Sequence, residues 1–312
     1  MAWRGAKGAA PRMTSQSRPS VAIAFAVAAL GIATFSGMDA LMKHLALAIG
    51  TYNALLWRTL AGAIFGGLVY FGLGYRWPAR AAMRVHLIRG TISVFMALAF
   101  FWGLARVPLA QGVALAFVAP LIALYLAAAL LKEQIERRAI LASLLGLAGV
   151  AVILAGQAKA DLGPEALRGS LAILLSACLY AWNIVLMRQQ ALIAGPVEIA
   201  FFMSALMSAG FLLAAPWLAE LPPAREWPAV AGAAALAFAS LMLLSWAYAR
   251  AEAQHLAPVE YTAFIWASLF GWLVFHEPAR PLTLAGAALI VTACLIAARR
   301  RPAPVADVEA QI

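Results

Sequence analysis

Charge is scarce in this sequence. Only 12% of the 312 residues are Asp, Glu, Lys or Arg, whereas 65% are apolar and the mean hydropathy is +0.88. An ordinary soluble domain has about 25% charged residues, so too few are present here to coat a soluble fold of this size. The composition excludes a soluble globular enzyme, a disordered chain and a nucleic-acid-binding domain, and it predicts a polytopic membrane protein.

Cysteine and the common catalytic motifs are also nearly absent. Cys178 and Cys294 each lie inside an apolar run without a second Cys or a His at ligand spacing, which argues against a disulfide framework and a metal site. The sequence has no nucleotide-binding Gly-x-x-x-x-Gly-Lys loop, no His-Glu-x-x-His motif and no nucleophile elbow. We therefore expect no cofactor and no enzymatic activity. An intramembrane lipid-modifying enzyme is a remote alternative.

Long apolar runs dominate the rest of the chain. A membrane span needs about 20 mostly apolar residues. Residues 1–20 carry four basic side chains without a following cleavage pattern, so we interpret them as a cytoplasmic tail. The predicted spans are 21–43, 52–73, 87–105, 109–131, 139–156, 169–187, 197–218, 228–249, 255–275 and 281–298.

The basic residues are distributed unevenly between the two sides of these spans. If both termini are cytoplasmic, sixteen Lys and Arg lie inside and six outside, and Arg58 lies within span two. Short loops rich in Lys and Arg stay in the cytoplasm, so this bias predicts that both termini, including the tail 299–312, face it. The formal charge of +10 is explained by topology and does not require nucleic acid. We expect a bacterial inner membrane protein.

The two halves of the chain resemble each other at an offset of 144 residues. Rare residues coincide in this register: Trp102 with Trp246, Arg106 with Arg250, and Glu133 with Glu277. Five spans per unit is an odd number, so the second unit must cross the membrane in the opposite sense. The sequence therefore predicts an all-α protein of ten spans in two inverted repeats, 21–156 and 169–298, joined by an extracytoplasmic linker, 157–168. Such inverted repeats are typical of secondary transporters.

Several motifs carry a resemblance to a known family. They are Leu-Lys-Glu at 131–133 before a span with Ala142, Gly146 and Gly149, Phe-His-Glu at 275–277 before Gly286, and Arg58 early in span two. In these features the chain resembles the drug/metabolite transporter superfamily, in its EamA-type branch of ten spans, and within it the aromatic amino acid exporter (YddG-like) kind. The resemblance implies transport of amino acids and related metabolites, often outward. It also implies that spans four and nine flex during transport.

Four residues are candidates for gating or hinge roles. Asp39 stands one helical turn before Lys43, which is compatible with a rim ion pair or with a gate facing the cavity. Arg58 must find a partner inside span two, and Asp39 across the first hairpin is one option besides the substrate. Pro120 and Pro258 interrupt spans four and nine, where each marks a hinge or a static kink.

Polar and aromatic residues at membrane depth are candidates for substrate binding. Glu260 follows Pro258 and either faces a cavity or reaches the cytoplasmic interface. Asn183 hydrogen-bonds to a neighbouring helix or to a ligand. Trp102 and Trp246 form paired aromatic walls of a cavity or sit in the lipid interface. The full candidate set is Phe95, Trp102, Tyr180, Trp182, Asn183, Trp246, Glu260 and Phe264.

The leading hypothesis is a secondary transporter that exports amino acids with aromatic or apolar side chains by alternating access. A carrier of polyanions would have several Lys or Arg deep in its spans, and only Arg58 meets that condition in the sequence. An importer of a vitamin or other heterocyclic metabolite, and a non-transporting receptor, remain alternatives. The expected partners are a small-molecule substrate and the lipid bilayer, in a monomer or weak homodimer. Substrate, direction and coupling to a proton or counter-substrate stay open.

Overall fold

The structure, a computed structural model, describes residues 21–131, 137–159, 163–191, 193–248 and 259–298. Regular secondary structure in these ranges is helical throughout. The helices are α1 (Val21–Ile49), α2 (Thr51–Gly72), α3 (Arg80–Leu104), α4 (Leu109–Ala116), α5 (Ala119–Leu131), α6 (Arg137–Lys159), α7 (Gly163–Ala191), α8 (Pro196–Leu212), α9 (Ala215–Leu218), α10 (Trp227–Tyr248), α11 (Ala263–Phe275) and α12 (Pro281–Ala298).

Several helices have the length and composition of membrane spans. Within the described ranges, four are long and apolar enough to cross a bilayer: Ile23–Ile49, Thr51–Gly72, Arg80–Leu104 and Ala224–Leu244. The remaining apolar helices are shorter. Helices satisfy their own backbone hydrogen bonds, which a bilayer core demands of any spanning segment. The predicted all-α polytopic fold is confirmed.

The offset of 144 residues found in the sequence also relates the helix boundaries. α3 spans Arg80–Leu104, and a 3-10 turn with α10 spans 224–248. α5 spans Ala119–Leu131, and α11 spans Ala263–Phe275. These bounds agree to the residue, although few amino acids are identical between the repeats. The repeat is therefore conserved within the chain in the positions of turns and helix ends more than in the identity of side chains.

Helix packing follows the same symmetry. α1 packs along α10, and their counterparts α7 and α3 pack along each other. α2 packs on its own counterpart α8, and α6 on its counterpart α12. At the α6–α12 crossing, a Cβ on Gly149 would lie 2.7 Å from the carbonyl oxygen of Gly286, and one on Gly286 would lie 2.6 Å from that of Gly149. Glycine at both positions is what lets these backbones touch.

Spans four and nine are both broken. Span four divides into α4 and α5 at Phe117–Val118, and Pro120 is the second residue of α5, where its missing N–H costs no hydrogen bond. In span nine a turn at Tyr261–Thr262 precedes α11, at the position equivalent to Phe117–Val118. The rings of Phe117 and Tyr261 meet edge to face, 5.4 Å apart. The two breaks therefore meet at the pseudo-twofold axis. Pro258 lies outside the described residues.

The bundle has two ends that are named here by their charged residues. The Lys43 end carries the connections at 50, 105–108, 219–223 and 276–280, and the Arg89 end carries those at 73–79 and 193–195. Some helices are longer than the predicted spans: α3 begins at Arg80 rather than 87, and α6 and α7 shorten the predicted linker 157–168 to the stretch between Lys159 and Gly163. Polar residues continue these helices beyond the apolar segment that hydropathy detects.

Candidate functional site

A buried ion pair ties three elements together at the Lys43 end. The Lys43 ammonium is 2% exposed and lies 2.6 Å from Oε1 of Glu277, and it donates a hydrogen bond of 2.7 Å to the carbonyl of Val107. The other carboxylate oxygen of Glu277 accepts the backbone N–H of Leu109 at 2.8 Å. We call Lys43, Val107, Leu109 and Glu277 the Lys43 latch. It joins α1 to the α3–α4 and α11–α12 connections.

The latch changes two interpretations made from the sequence. Lys43 pairs with Glu277 and not with Asp39, although Asp39 stands one helical turn away. Glu277 lies in a turn, since His276 ends α11 in the left-handed conformation at φ 55° and the Glu277 N–H bonds to the carbonyl of Gly271. Its carboxylate has a further role in the latch that spacing along the sequence does not indicate, because the partner is 234 residues away.

Asp39 and Arg58 lie close enough across the α1–α2 hairpin to interact electrostatically. Asp39 is buried, with 5% of its surface exposed. Among the described residues, neither Oδ1 of Asp39 nor Nε of Arg58 has a hydrogen-bond partner. The geometry agrees with a charge pair across the first hairpin, and a gating role for either residue stays a prediction.

A second polar group lies between α3 and α7 toward the opposite end. Nε of Arg89 donates to Oδ1 of Asn183 at 2.7 Å, and a second guanidinium N–H donates to Oε1 of Gln190. The Asn183 amide donates in turn to the hydroxyl of Ser93 at 2.8 Å. Asn183 and Gln190 are 3% and 0% exposed. We call Arg89, Ser93, Asn183 and Gln190 the Arg89 cluster.

A chain of hydrogen bonds extends the cluster to α8. A guanidinium can only donate, so the oxygen of Gln190 faces Arg89 and its NH₂ group faces Nδ1 of His86. Nδ1 then accepts, and the hydrogen on Nε2 of His86 is donated to Glu198 over 3.0 Å. Phe202 stacks on the His86 ring at 5.0 Å. These hydrogen bonds thus set the tautomer of His86 and link α3, α7 and α8 to one another.

Arg89 is held by neutral groups. Among the described residues no carboxylate lies within 4.0 Å of its guanidinium, and its hydrogen-bond partners are the two amides. Tyr180 lies within electrostatic range of both Arg89 and Glu260. An arginine inside the apolar segment costs about 2.5–3.5 kcal/mol or more, which makes an unpaired one a candidate for function.

The structure brings several predicted site residues together. Asn183 belongs to the Arg89 cluster, and Tyr180 and Glu260 lie near it. Phe264 packs with other partly buried rings against the core formed by α4, α6, α7 and α12. We call these rings the central aromatic group; its members are Phe100, Phe117, Tyr261 and Phe264.

Other predicted site residues lie elsewhere. Trp102 is at the Lys43 end, where its ring lies 3.5 Å from the guanidinium carbon of Arg106. It is thirteen residues beyond Arg89 on one helix, which corresponds to about 20 Å. Trp246 packs at the Arg89 end, against a cluster of α1 residues. The side chains of Phe95 and Trp182 are 61% and 42% exposed. Two tryptophans related by an inverted repeat thus lie toward opposite ends.

Sequence reasoning missed Arg89, His86, Gln190 and Glu198 as site residues. Arg89 and His86 stand at the start of span three, where hydropathy assigns charged residues to the interface. One feature of the internal repeat points to these residues. The positions equivalent to His86, Arg89 and Ser93 carry the apolar residues Val230, Ala233 and Ala237.

At the positions equivalent to the Arg89 cluster, the other half of the bundle has alanine in place of Arg89, Ser93 and Gln190, and Asp39 in place of Asn183. Between α1, α10 and α11 lies an open groove of about 630 Å³. Its lining is almost wholly apolar and consists of Leu30, Ala33, Thr34, Gly37, Ala40, Leu41, His44, Ala229, Leu236, Phe270 and Val274. The hydroxyl of Thr34 is already bonded to its own helix. The groove offers little to orient a polar ligand.

Comparisons with known proteins agree with this architecture. The EamA-like transporter family model matches residues 22–155 and 167–299, one copy per repeat. The chain is 27% identical over 279 residues to the pseudopaline exporter CntI of Pseudomonas aeruginosa, across 88% of this chain and 95% of that protein. It is 25% identical over 271 residues to the S-adenosylmethionine uptake transporter of Rickettsia bellii, across 85% and 90%.

A solved crystal structure shares the fold, with a TM-score of 0.57 over 90% of this chain and 97% of its own, at 21% identity. The family match covers both repeats and most of the described helices. The chain belongs to the EamA-like transporter family, within the drug/metabolite transporter superfamily.

Proposed function

We propose that this chain exports amino acids or amino-acid derivatives with aromatic or apolar side chains across the inner membrane by alternating access. The observation that carries the proposal is the meeting of the two helix breaks at Phe117 and Tyr261. In transporters built from inverted repeats, broken helices at the repeat interface hold the substrate, and one repeat rocks against the other around it.

The surroundings of the breaks support the substrate class. Phe100 and Phe264 pack against the same core as Phe117 and Tyr261, which gives this part of the bundle several aromatic rings for an aromatic side chain to contact. Aromatic contacts add about 0.5–1.5 kcal/mol beyond the burial of area. The Arg89 cluster supplies polar groups between α3 and α7, toward one end of the bundle. This combination suits a molecule with one apolar part and one charged part.

The relatives support small-metabolite transport and differ in direction. One is named an exporter of pseudopaline and another an uptake transporter for S-adenosylmethionine. S-adenosylmethionine carries an amino-acid group and a heterocyclic base, which favours one second candidate function: import of a heterocyclic metabolite. Family and relatives are named as transporters, and we propose no enzymatic activity for this chain. We also propose that both termini face the cytoplasm.

Counterflow into proteoliposomes tests the substrate class. Liposomes loaded with L-phenylalanine, L-threonine, riboflavin or S-adenosylmethionine receive a trace of the same labelled compound outside. We expect the fastest exchange for phenylalanine and slow exchange for threonine. Fast exchange of riboflavin or S-adenosylmethionine with none of phenylalanine would replace the proposal by the second candidate.

Direction needs intact cells. Cells that overproduce the chain are loaded with a phenylalanine dipeptide, which is hydrolysed inside, and the efflux of phenylalanine is followed. We expect faster efflux than in cells that overproduce Tyr261→Ala, a variant that removes one ring of the central contact. Accelerated uptake with unchanged efflux would contradict export.

A further inference from the structure

We propose that Arg89 binds the carboxylate of the transported molecule, with Asn183 and Gln190 holding the guanidinium in place. The proposal rests on the function proposed above, since it names the group by which an amino acid is recognised. It places the charged part of the substrate between α3 and α7, and its apolar side chain toward the central aromatic group.

The hydrogen bonds of Arg89 leave donors for a ligand. Its guanidinium has five N–H groups, and the described residues accept two of them, at Asn183 and Gln190. The remaining N–H groups include those on the outer edge of the fork. That edge fits the two oxygens of a carboxylate in a bidentate contact, which is stronger and more directional than a neutral hydrogen bond.

The partners of Arg89 position it without neutralising it. Asn183 is held by Ser93, and Gln190 by His86, whose other nitrogen bonds to Glu198. The one carboxylate of this chain of hydrogen bonds is therefore two side chains away from the guanidinium. A carboxylate in direct contact would cancel the charge that an anion needs. Neutral amides fix the geometry and leave the charge available.

The surroundings of Tyr180 carry one charge of each sign. Arg89 and Glu260 both lie within electrostatic range of its hydroxyl. An amino acid presents an ammonium and a carboxylate on one carbon, so a region with both signs complements it. At the equivalent positions in the other repeat, Ala233, Ala237 and Ala46 stand in place of Arg89, Ser93 and Gln190, whereas Asp39 stands in place of Asn183. The cluster is therefore not required by the fold, which forms on the other side without it.

Two variants of purified protein test the assignment, with L-phenylalanine and phenethylamine, which lacks the carboxylate, as probes. Arg89→Gln removes the charge. Asn183→Asp keeps the size of the side chain and places a carboxylate beside Arg89, where it competes with the ligand. Arg84→Gln, at an exposed arginine on the same helix, is the matched control.

We expect both variants to bind phenylalanine about ten- to a hundredfold more weakly, since hydrogen bonds to charged groups are worth that factor. Phenethylamine should bind all proteins within about threefold, and Arg84→Gln should behave as the unmodified chain. If Arg89→Gln does not fold, Asn183→Asp alone decides the question.

The failures of the two proposals are distinguishable. Phenylalanine binding that is equal in the unmodified chain and in Asn183→Asp overturns the Arg89 site and leaves the proposed function standing. A chain that binds neither phenylalanine nor any other carboxylate of the counterflow panel overturns both. Equal weakening for phenylalanine and phenethylamine also overturns the site, because the loss would then not depend on the carboxylate.

Discussion

The α3–α7 pair and the α10–α1 pair have the same architecture but carry different side chains between their helices. Both consist of a third and a first helix of opposite repeats, with matching boundaries. The α3–α7 pair encloses Arg89, Ser93 and Asn183, whereas the α10–α1 pair has Ala233, Ala237 and Asp39 at the same places. The comparison separates what the fold requires from what this chain adds. Alanine suffices for packing at the places of Arg89 and Ser93, so the guanidinium is an addition to one side, whereas a polar residue occupies the place of Asn183 on both sides.

The largest expected effect comes from placing the added charge in the wrong half. Ala233→Arg puts a guanidinium into a fully buried position of α10, where Asp39, at the place equivalent to Asn183, already interacts electrostatically with Arg58. We expect a loss of about 2.5–3.5 kcal/mol or more, and little folded protein. The yield of monodisperse protein in size-exclusion chromatography measures it. Ala224→Arg, at the exposed start of the same run of helix, is the control and should be tolerated. Normal yield of Ala233→Arg would show that this half accepts charge as readily as the other.

Breaking the Lys43 latch is expected to have the next largest effect. Lys43→Met leaves the Glu277 carboxylate without its buried partner; loss of one member of a fully buried pair costs about 3–5 kcal/mol, and we expect a smaller loss here because Glu277 is 25% exposed. The double variant Lys43→Met with Glu277→Gln should recover part of that loss, because no lone charge remains. Thermal unfolding in detergent, followed by tryptophan fluorescence, gives both values. A double variant as unstable as the sum of its single variants would mean that the two residues act independently.

The crossing of α6 and α12 at Gly149 and Gly286 has glycine in both repeats, and a substitution there tests a feature that the two repeats share. Gly286→Ala forces a methyl group against the carbonyl of Gly149, and we expect a loss of about 1–3 kcal/mol. Gly72→Ala is the matched control, since no atom of the described part of the chain lies within 4 Å of a Cβ built there. It should be neutral or slightly stabilising. The same thermal measurement compares them, and equal unfolding temperatures for the two variants would contradict the close approach.

The smallest effect concerns the exposed ion pairs of Glu165. Hydrogen bonds from Arg106 and then Arg168 hold the pKa of Glu165 below its ordinary value. A lowered pKa adds stability above the pKa of the unfolded chain, and that stability is lost as pH falls through the pKa of the folded state. Glu165→Gln should therefore lower Tm by about 1 °C at neutral pH and not at all in strong acid, since exposed pairs contribute little. A Tm difference that grows as pH falls would mean that folding raises the pKa of Glu165, which contradicts the lowered pKa.

Much of the fold could be predicted from the sequence because it depends on features that are read along the chain. Apolar runs gave the helices, and the register of Trp102 with Trp246 gave the offset that the helix boundaries follow. Hydropathy did not predict that α3 begins at Arg80, because charged residues near the start of the helix lower the local hydropathy although they are helical. It also divided neither span four at Phe117 nor span nine at Tyr261, since a break inside an apolar run leaves the composition unchanged.

The candidate site was harder to predict because it depends on which helix faces which. Asn183 and Tyr180 were recognised from their depth in the membrane. Arg89 was assigned to the membrane interface, and only the packing of α3 on α7 shows that it reaches Asn183. For Lys43 the sequence offered Asp39, one helical turn away, as a possible ion-pair partner, whereas the partner in the structure is Glu277 on a distant loop. Spacing along a helix favours partners that are close in sequence, whereas tertiary packing also brings together residues that are far apart in sequence.

Alternating movement of the two ends about the contact of Phe117 with Tyr261 is the central claim, and a pair of distance measurements tests it most directly. Spin labels at Ala48 and Arg168 report on the Lys43 end, and labels at Arg76 and Ile193 report on the Arg89 end, after replacement of both cysteines. Pulsed electron spin resonance with and without L-phenylalanine then gives both distances in lipid nanodiscs. The account predicts that phenylalanine shifts the two distance distributions in opposite directions. Two distributions that do not change, or that widen together, would contradict it.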